Sequence, residues 1–154
     1  MSIWWSLRLR RDAASVPLAR RLLLGAMETA GVDPDISFDL SVALTEACAN
    51  AVEHGGSAGT GGTGGGGAEE YRVTAYLDGE KCRIEVSDSG PGFSPRPVAP
   101  HERRPSAVAE SGRGLCLIEQ LADHVHVRSG PGVGAVVSFD KMLKWRDGAP
   151  LAVV

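Results

Sequence analysis

At 154 residues the chain is long enough to bury a real core and short enough to be one domain. A net charge of −3 gives no electrostatic case for nucleic acid, and 43% hydrophobic against 23% charged residues excludes a disordered chain. Cys48, Cys82 and Cys116 are odd in number and lack CxxC spacing. That argues against a disulfide framework and a zinc site, and for a reducing compartment. Met1–Trp5 holds no apolar run of signal length and charges interrupt every later apolar stretch, so the expected location is the cytoplasm, away from membranes.

Ile3 to Arg10 alternates as a strand, with Trp4 or Trp5 facing the core. Asp12 or Ser15 can cap a helix with Pro17 near its first turn, which runs through Leu22, Leu23 and Ala26 and stops at Gly31. Asp33-Pro34 opens a second helix, predicted to end at Glu53 or His54. Residues 55–67, GGSAGTGGTGGGG, lack the Lys-Ser/Thr ending of a P-loop and read as a flexible linker.

Tyr71–Leu77 and Lys81–Ser87 form a hairpin joined at Asp78-Gly79, each arm alternating apolar and polar residues. Residues 93–111 are rich in Pro, Arg, Glu and Ser without periodicity, a long loop of the kind that carries function or is disordered. Gly114–Ala122 reads as a short helix. His124–Arg128 and Ala135–Phe139 read as a second hairpin, and from Trp145 onward the tail is expected to be poorly ordered.

Three stretches bear chemistry. In Leu44–His54 the residues Glu46, Asn50 and His54 recur at i, i+4 and so stack along one helix face, beside Leu40, Val42, Ala43, Ala47, Cys48 and Ala51, which look like core. Polar groups bordering an apolar face need partners. A magnesium ion held mainly by phosphates would supply one, because it takes only one or two protein oxygens. Asp88-Ser-Gly-Pro-Gly-Phe93 leaves a strand with glycines at i+2 and i+4, which allows close backbone approach to a ligand, or is simply a turn. Glu110-Ser-Gly-Arg-Gly-Leu-Cys-Leu-Ile118 places glycines before a helix, where free N–H groups can face an anion or merely make a pliant entry. His124 and His126 sit i, i+2 on a strand, an exposed face rather than a metal site.

The order of these pieces is more specific than any one of them. An E-x-x-x-N-x-x-x-H helix, D-x-G-x-G-F after a strand, a long polar loop and S-G-x-G-L opening a helix together resemble the GHKL (Bergerat-fold) ATPases, the superfamily of gyrase B, histidine kinases and MutL. A free-standing domain with an N-terminal strand and helix resembles the RsbW/SpoIIAB-type anti-sigma factor serine kinases, over about Trp4 to Lys141. The resemblance implies a two-layer α/β sandwich with a mixed, mostly antiparallel sheet and helices on one face. Residues 1–141 would be one ATP-binding domain, 93–111 its lid and 142–154 a C-terminal tail.

Residue by residue, the resemblance implies that Asp88 accepts from the adenine amino group while Gly90 and Gly92 let the backbone lie against the base. Asn50 would coordinate magnesium, and Glu46 would act as general base or polarise the attacking hydroxyl. His54 would stand behind the ligand, and Ser111, Gly112, Arg113, Gly114 and Leu115 would close over the phosphates of ATP or ADP. One departure is Gly134-Ala135, where such relatives carry Thr after the last glycine of the final hairpin; weaker nucleotide affinity is the expected consequence. The implied role is a switch that binds a sigma factor and phosphorylates a Ser or Thr of a STAS-domain anti-anti-sigma partner, commonly as a homodimer. Two other readings are a non-catalytic ATP-holding sequestration module and a severed histidine-kinase catalytic domain.

Overall fold

A computed structural model describes residues 2–54, 70–88, 112–130 and 134–149. Along them run β1 (Ile3–Arg10), α1 (Ser15–Ala30), α2 (Pro34–His54), β2 (Glu70–Leu77) and β3 (Lys81–Asp88), then α3 (Gly112–Leu121), β4 (His124–Gly130) and β5 (Gly134–Met142). The strands form one sheet in the order β1-β2-β3-β5-β4, and every described pairing is antiparallel.

Alternation decides which face is covered. Val73, Ala75 and Leu77 on β2, Cys82, Ile84 and Val86 on β3, and Val137 and Phe139 on β5 are buried together with Leu23, Met27, Leu40 and Leu44 of the helices. On the opposite face Arg72, Tyr76 and Arg83 are exposed. The expected two-layer sandwich with helices on one face is therefore the observed fold. Trp5 packs on the core, whereas its neighbour Trp4 is 66% exposed.

Helix termini follow local chemistry. Gly31 ends α1 in the left-handed region at φ 88°, where a side chain would be strained, and its N–H and that of Val32 both reach the Met27 carbonyl. Asp33 caps α2, its Oδ1 accepting from the Asp35 N–H at 2.8 Å, with Pro34 as the first helical residue. At the start of α1 the expected cap is absent: Ala14 occupies that position without a side-chain bond. The Asp12 carboxylate instead closes its own turn on the Ala14 N–H, and the Ser15 hydroxyl donates backward to the Asp12 carbonyl at 2.7 Å.

The tail also departs from expectation. Leu143 and Ala149 are buried, Trp145 bridges to Val32, and its indole N–H donates to the Gly79 carbonyl at 3.2 Å. The Lys144 carbonyl accepts from Asp33 and the Arg146 N–H donates to Gly31, so residues 143–149 are held against the turns at 31–33 and 79. Hydrophobic residues spaced through a polar tail gave too weak a periodic signal to predict this docking. Among the described residues no helix is long and apolar enough to cross a membrane.

Candidate functional site at one end of the sandwich

The pairing register brings distant segments of the chain to one end. Arg10, the last residue of β1, pairs with Glu70, and Tyr71 beside it pairs with Asp88, the last residue of β3. From above, the Arg11 guanidinium Nε donates to the Val52 carbonyl at 2.9 Å, which sets the C-terminal turns of α2 over that end. Lys141 donates to the Leu121 carbonyl at 2.7 Å and lies 3.8 Å from Asp39, joining the end of α3 to the beginning of α2. The two helices therefore run antiparallel, and the start of α3 at Gly112 lies toward the end of α2. Three motifs separated in sequence, the Glu46–His54 helix face, the Asp88 strand end and the Gly112 helix start, converge there.

Within the site Glu46 is half-buried and Asn50 is only 7% exposed. Among the described residues the Asn50 Nδ2 has no hydrogen-bond partner. An orphaned buried donor costs about 1–3 kcal/mol, so a ligand acceptor such as a phosphate oxygen fits this position. The amide carbonyl beside it is a hard oxygen suited to magnesium. No cluster of three or more His, Cys, Asp or Glu able to hold a metal occurs among the described residues. Asp88 is buried at 8% exposure and its Oδ1 accepts from the Ala135 N–H at a long 3.5 Å.

Behind the site, burial pushes the Cys48 thiol up to about 12, a rise partly offset by a hydrogen bond with Tyr71, so it is a neutral core group and no nucleophile. His54 is the last residue of α2, and α3 opens on Gly112, Arg113 and Gly114, with Leu115 half-buried. Gly90, Gly92 and Ser111, together with the glycine-rich stretch 55–67 and the expected lid 93–111, lie outside the described residues. A groove of about 540 Å³ lined by Arg83, His126, Arg128 and Ser138 runs beside β4, and it shares no residue with the three motifs. His124 and His126 are exposed as expected, His124 meeting Asp140 at 2.9 Å.

Residues 9–141 match the histidine kinase-like ATPase domain family. The chain belongs to that family. The serine-protein kinase RsbW of Bacillus licheniformis is 34% identical over 135 residues, covering 83% of this chain and 78% of the relative. The serine-protein kinase RsbW of Staphylococcus aureus is 30% identical over 146 residues, covering 90% and 86% respectively. This histidine kinase-like ATPase domain is accordingly a protein kinase of the serine type that uses ATP. A histidine kinase domain from Erythrobacter litoralis EL346 aligns with a TM-score of 0.48 at 18% identity, over 86% of this chain and 75% of that one; family membership rests on the sequence relatives.

Sequence reasoning missed Arg11, which bonds the last turn of the site-bearing helix, and the buried Ser15–Tyr71 pair behind it. Their contacts span 41 residues from Arg11 to Val52 and 56 from Ser15 to Tyr71, and no local pattern announces pairs so far apart.

Proposed function

We propose that this kinase domain sequesters a sigma factor and, with magnesium-ATP, phosphorylates a Ser or Thr of a STAS-domain anti-anti-sigma partner, acting as a homodimer in the cytoplasm. The observation that carries the nucleotide site is the buried Asn50 Nδ2, without a hydrogen-bond partner among the described residues, at the end where Glu46, Asp88 and the start of α3 meet. The named relatives, serine-protein kinases, support the choice of reaction.

In this reading Asp88 selects adenine through its amino group while Gly90 and Gly92 allow the backbone to approach the base. Asn50 would hold magnesium through its carbonyl and phosphate through its N–H, and the bound ion would supply neutralisation of phosphate charge. Ser111, Gly112, Arg113, Gly114 and Leu115 close over the phosphates, with His54 behind them. Glu46, one helical turn before Asn50, takes the proton of the partner's hydroxyl as its oxygen bonds to the γ-phosphorus. The bond to the β–γ bridging oxygen breaks and ADP departs. Positioning and charge neutralisation supply most of the acceleration.

Glu46→Gln keeps the shape of the side chain and removes the base. Phosphoserine formation on the STAS partner should fall at least about a hundredfold, while ATP binding measured by titration calorimetry stays near the parental value. Equal loss of both would assign Glu46 to binding and remove the base from the mechanism. Capture of a sigma factor with different yields in Mg-ATP and Mg-ADP tests the switch itself, and identical yields would refute it.

A further inference from the structure

Asn50 must stand at one angle around the α2 axis if its amide is to face a ligand, and the contacts that set that angle lie on the helix's other flank. Arg11 Nε grips the carbonyl of Val52 at 2.9 Å. One turn earlier, the Cys48 thiol is buried in the core against the Tyr71 hydroxyl. Cys48 and Val52 bracket Asn50 in sequence, and each lies roughly 200° around the helix from it. A helix held at two points on one flank cannot roll, so the opposite flank is held with it.

The hydroxyl chain has one self-consistent direction. The Asp12 carbonyl can only accept, so the Ser15 hydroxyl donates to it at 2.7 Å. Ser15 Oγ then accepts from the Tyr71 hydroxyl at 2.6 Å, which fixes that hydroxyl beside the Cys48 thiol. Ser15 and Tyr71 are 7% and 2% exposed and Cys48 is fully buried, so water does not compete for these bonds. Tyr71 also stands directly opposite Asp88 in the sheet. The same ring therefore touches the strand pair that ends in Asp88 and the helix that bears Asn50. Nothing in the three nucleotide motifs requires an arginine after β1 or a tyrosine at the start of β2.

We propose that Arg11 and Tyr71 are positioning residues of the nucleotide site, which lock the rotation of α2 from the side away from Asn50 and couple it to the strand carrying Asp88. The inference rests on the ATP reading of that site. It separates two demands that would otherwise be confused: holding the fold together, and holding one helix at one angle.

The test uses the full chain with Mg-ATP, titrated calorimetrically well below the melting temperature, together with thermal melts. Tyr71→Phe keeps the ring and deletes the hydroxyl; Arg11→Met keeps the stem and deletes the donor. Each is expected to weaken ATP binding about tenfold, as loss of a supporting contact typically does. Arg11→Lys, which retains a cationic donor, should recover much of the loss. The double variant should weaken binding by less than the product of the two single effects, because both contacts restrain the same helix segment. Lower melting temperatures with parental ATP affinity in both single variants would overturn the proposal and leave Arg11 and Tyr71 as packing residues. Arg11 is only half-buried, so its variants decide the matter even if Tyr71→Phe does not fold. A parental chain that fails to bind Mg-ATP would instead sink the nucleotide reading, and this inference with it.

Discussion

Ala135 shows how much one side chain can matter at the base-binding end. Its N–H approaches the Asp88 carboxylate at 3.5 Å, beyond the usual length of an N–H···O bond. The resemblance to anti-sigma kinases puts a Thr at this position, where a hydroxyl could donate to the same carboxylate or to the base. Gly134, at φ 81°, makes the turn that delivers residue 135 to Asp88, and that backbone geometry is already in place. Ala135→Thr should therefore tighten ATP binding about fivefold, the value of one added hydrogen bond. Titration calorimetry of the two proteins measures it. Unchanged or weaker affinity at an unaltered melting temperature would mean that the missing hydroxyl is not what limits affinity in this chain.

The elements themselves are held by short polar devices, and the β2–β3 turn is the one whose pH response can be worked out. Asp78 Oδ1 accepts from the Lys81 N–H at 2.9 Å and the Glu80 N–H at 2.7 Å. Those two bonds, Lys81 first, hold its carboxyl below the ordinary value of 3.8. A carboxyl depressed on folding adds stability that is complete above its unfolded value and fades as pH falls through the folded one. At pH 7, Asp78→Ala should cost about 1 kcal/mol in urea unfolding. Asp78→Asn keeps an acceptor without the charge, so its deficit against the parent should shrink as pH falls below 3.8. A deficit that is constant from neutral pH down to that range would show that the charge contributes nothing to the turn. The hairpin was legible because Asp-Gly between two alternating runs is local chemistry. The cap of α1 was misread because Asp12 serves the turn before the helix and leaves Ala14 at the cap position.

Across the whole molecule, what was legible divides by sequence separation. Both hairpins, the bounds of α1 and α2 and the burial of Leu40, Ala43, Ala47, Cys48 and Ala51 follow from periodicity and turn residues within a few positions. The pairings of β1 with β2 and of β3 with β5 join segments dozens of residues apart, and so do the Arg11 and Tyr71 contacts behind the site. Those depend on which surfaces fit once the elements exist, and no window of sequence contains both partners. The tail belongs to the same class. Leu143, Trp145 and Ala149 are scattered among charges and glycine, yet they dock where α1 turns into α2 and where β2 turns into β3. That is the end of the sandwich opposite Asp88, since α1 begins near Tyr71 and finishes at Gly31. Truncation after Met142 should therefore remove about 2–4 kcal/mol of stability, from the buried Leu and Trp surface and the lost backbone bonds. It should leave Mg-ATP affinity near parental at temperatures where the truncated chain is folded. Urea unfolding followed by circular dichroism, paired with nucleotide titration, separates the two effects. An unchanged urea midpoint would mean that the docked tail adds no net stability; a parallel loss of ATP affinity would mean that the two ends of the sandwich are energetically coupled.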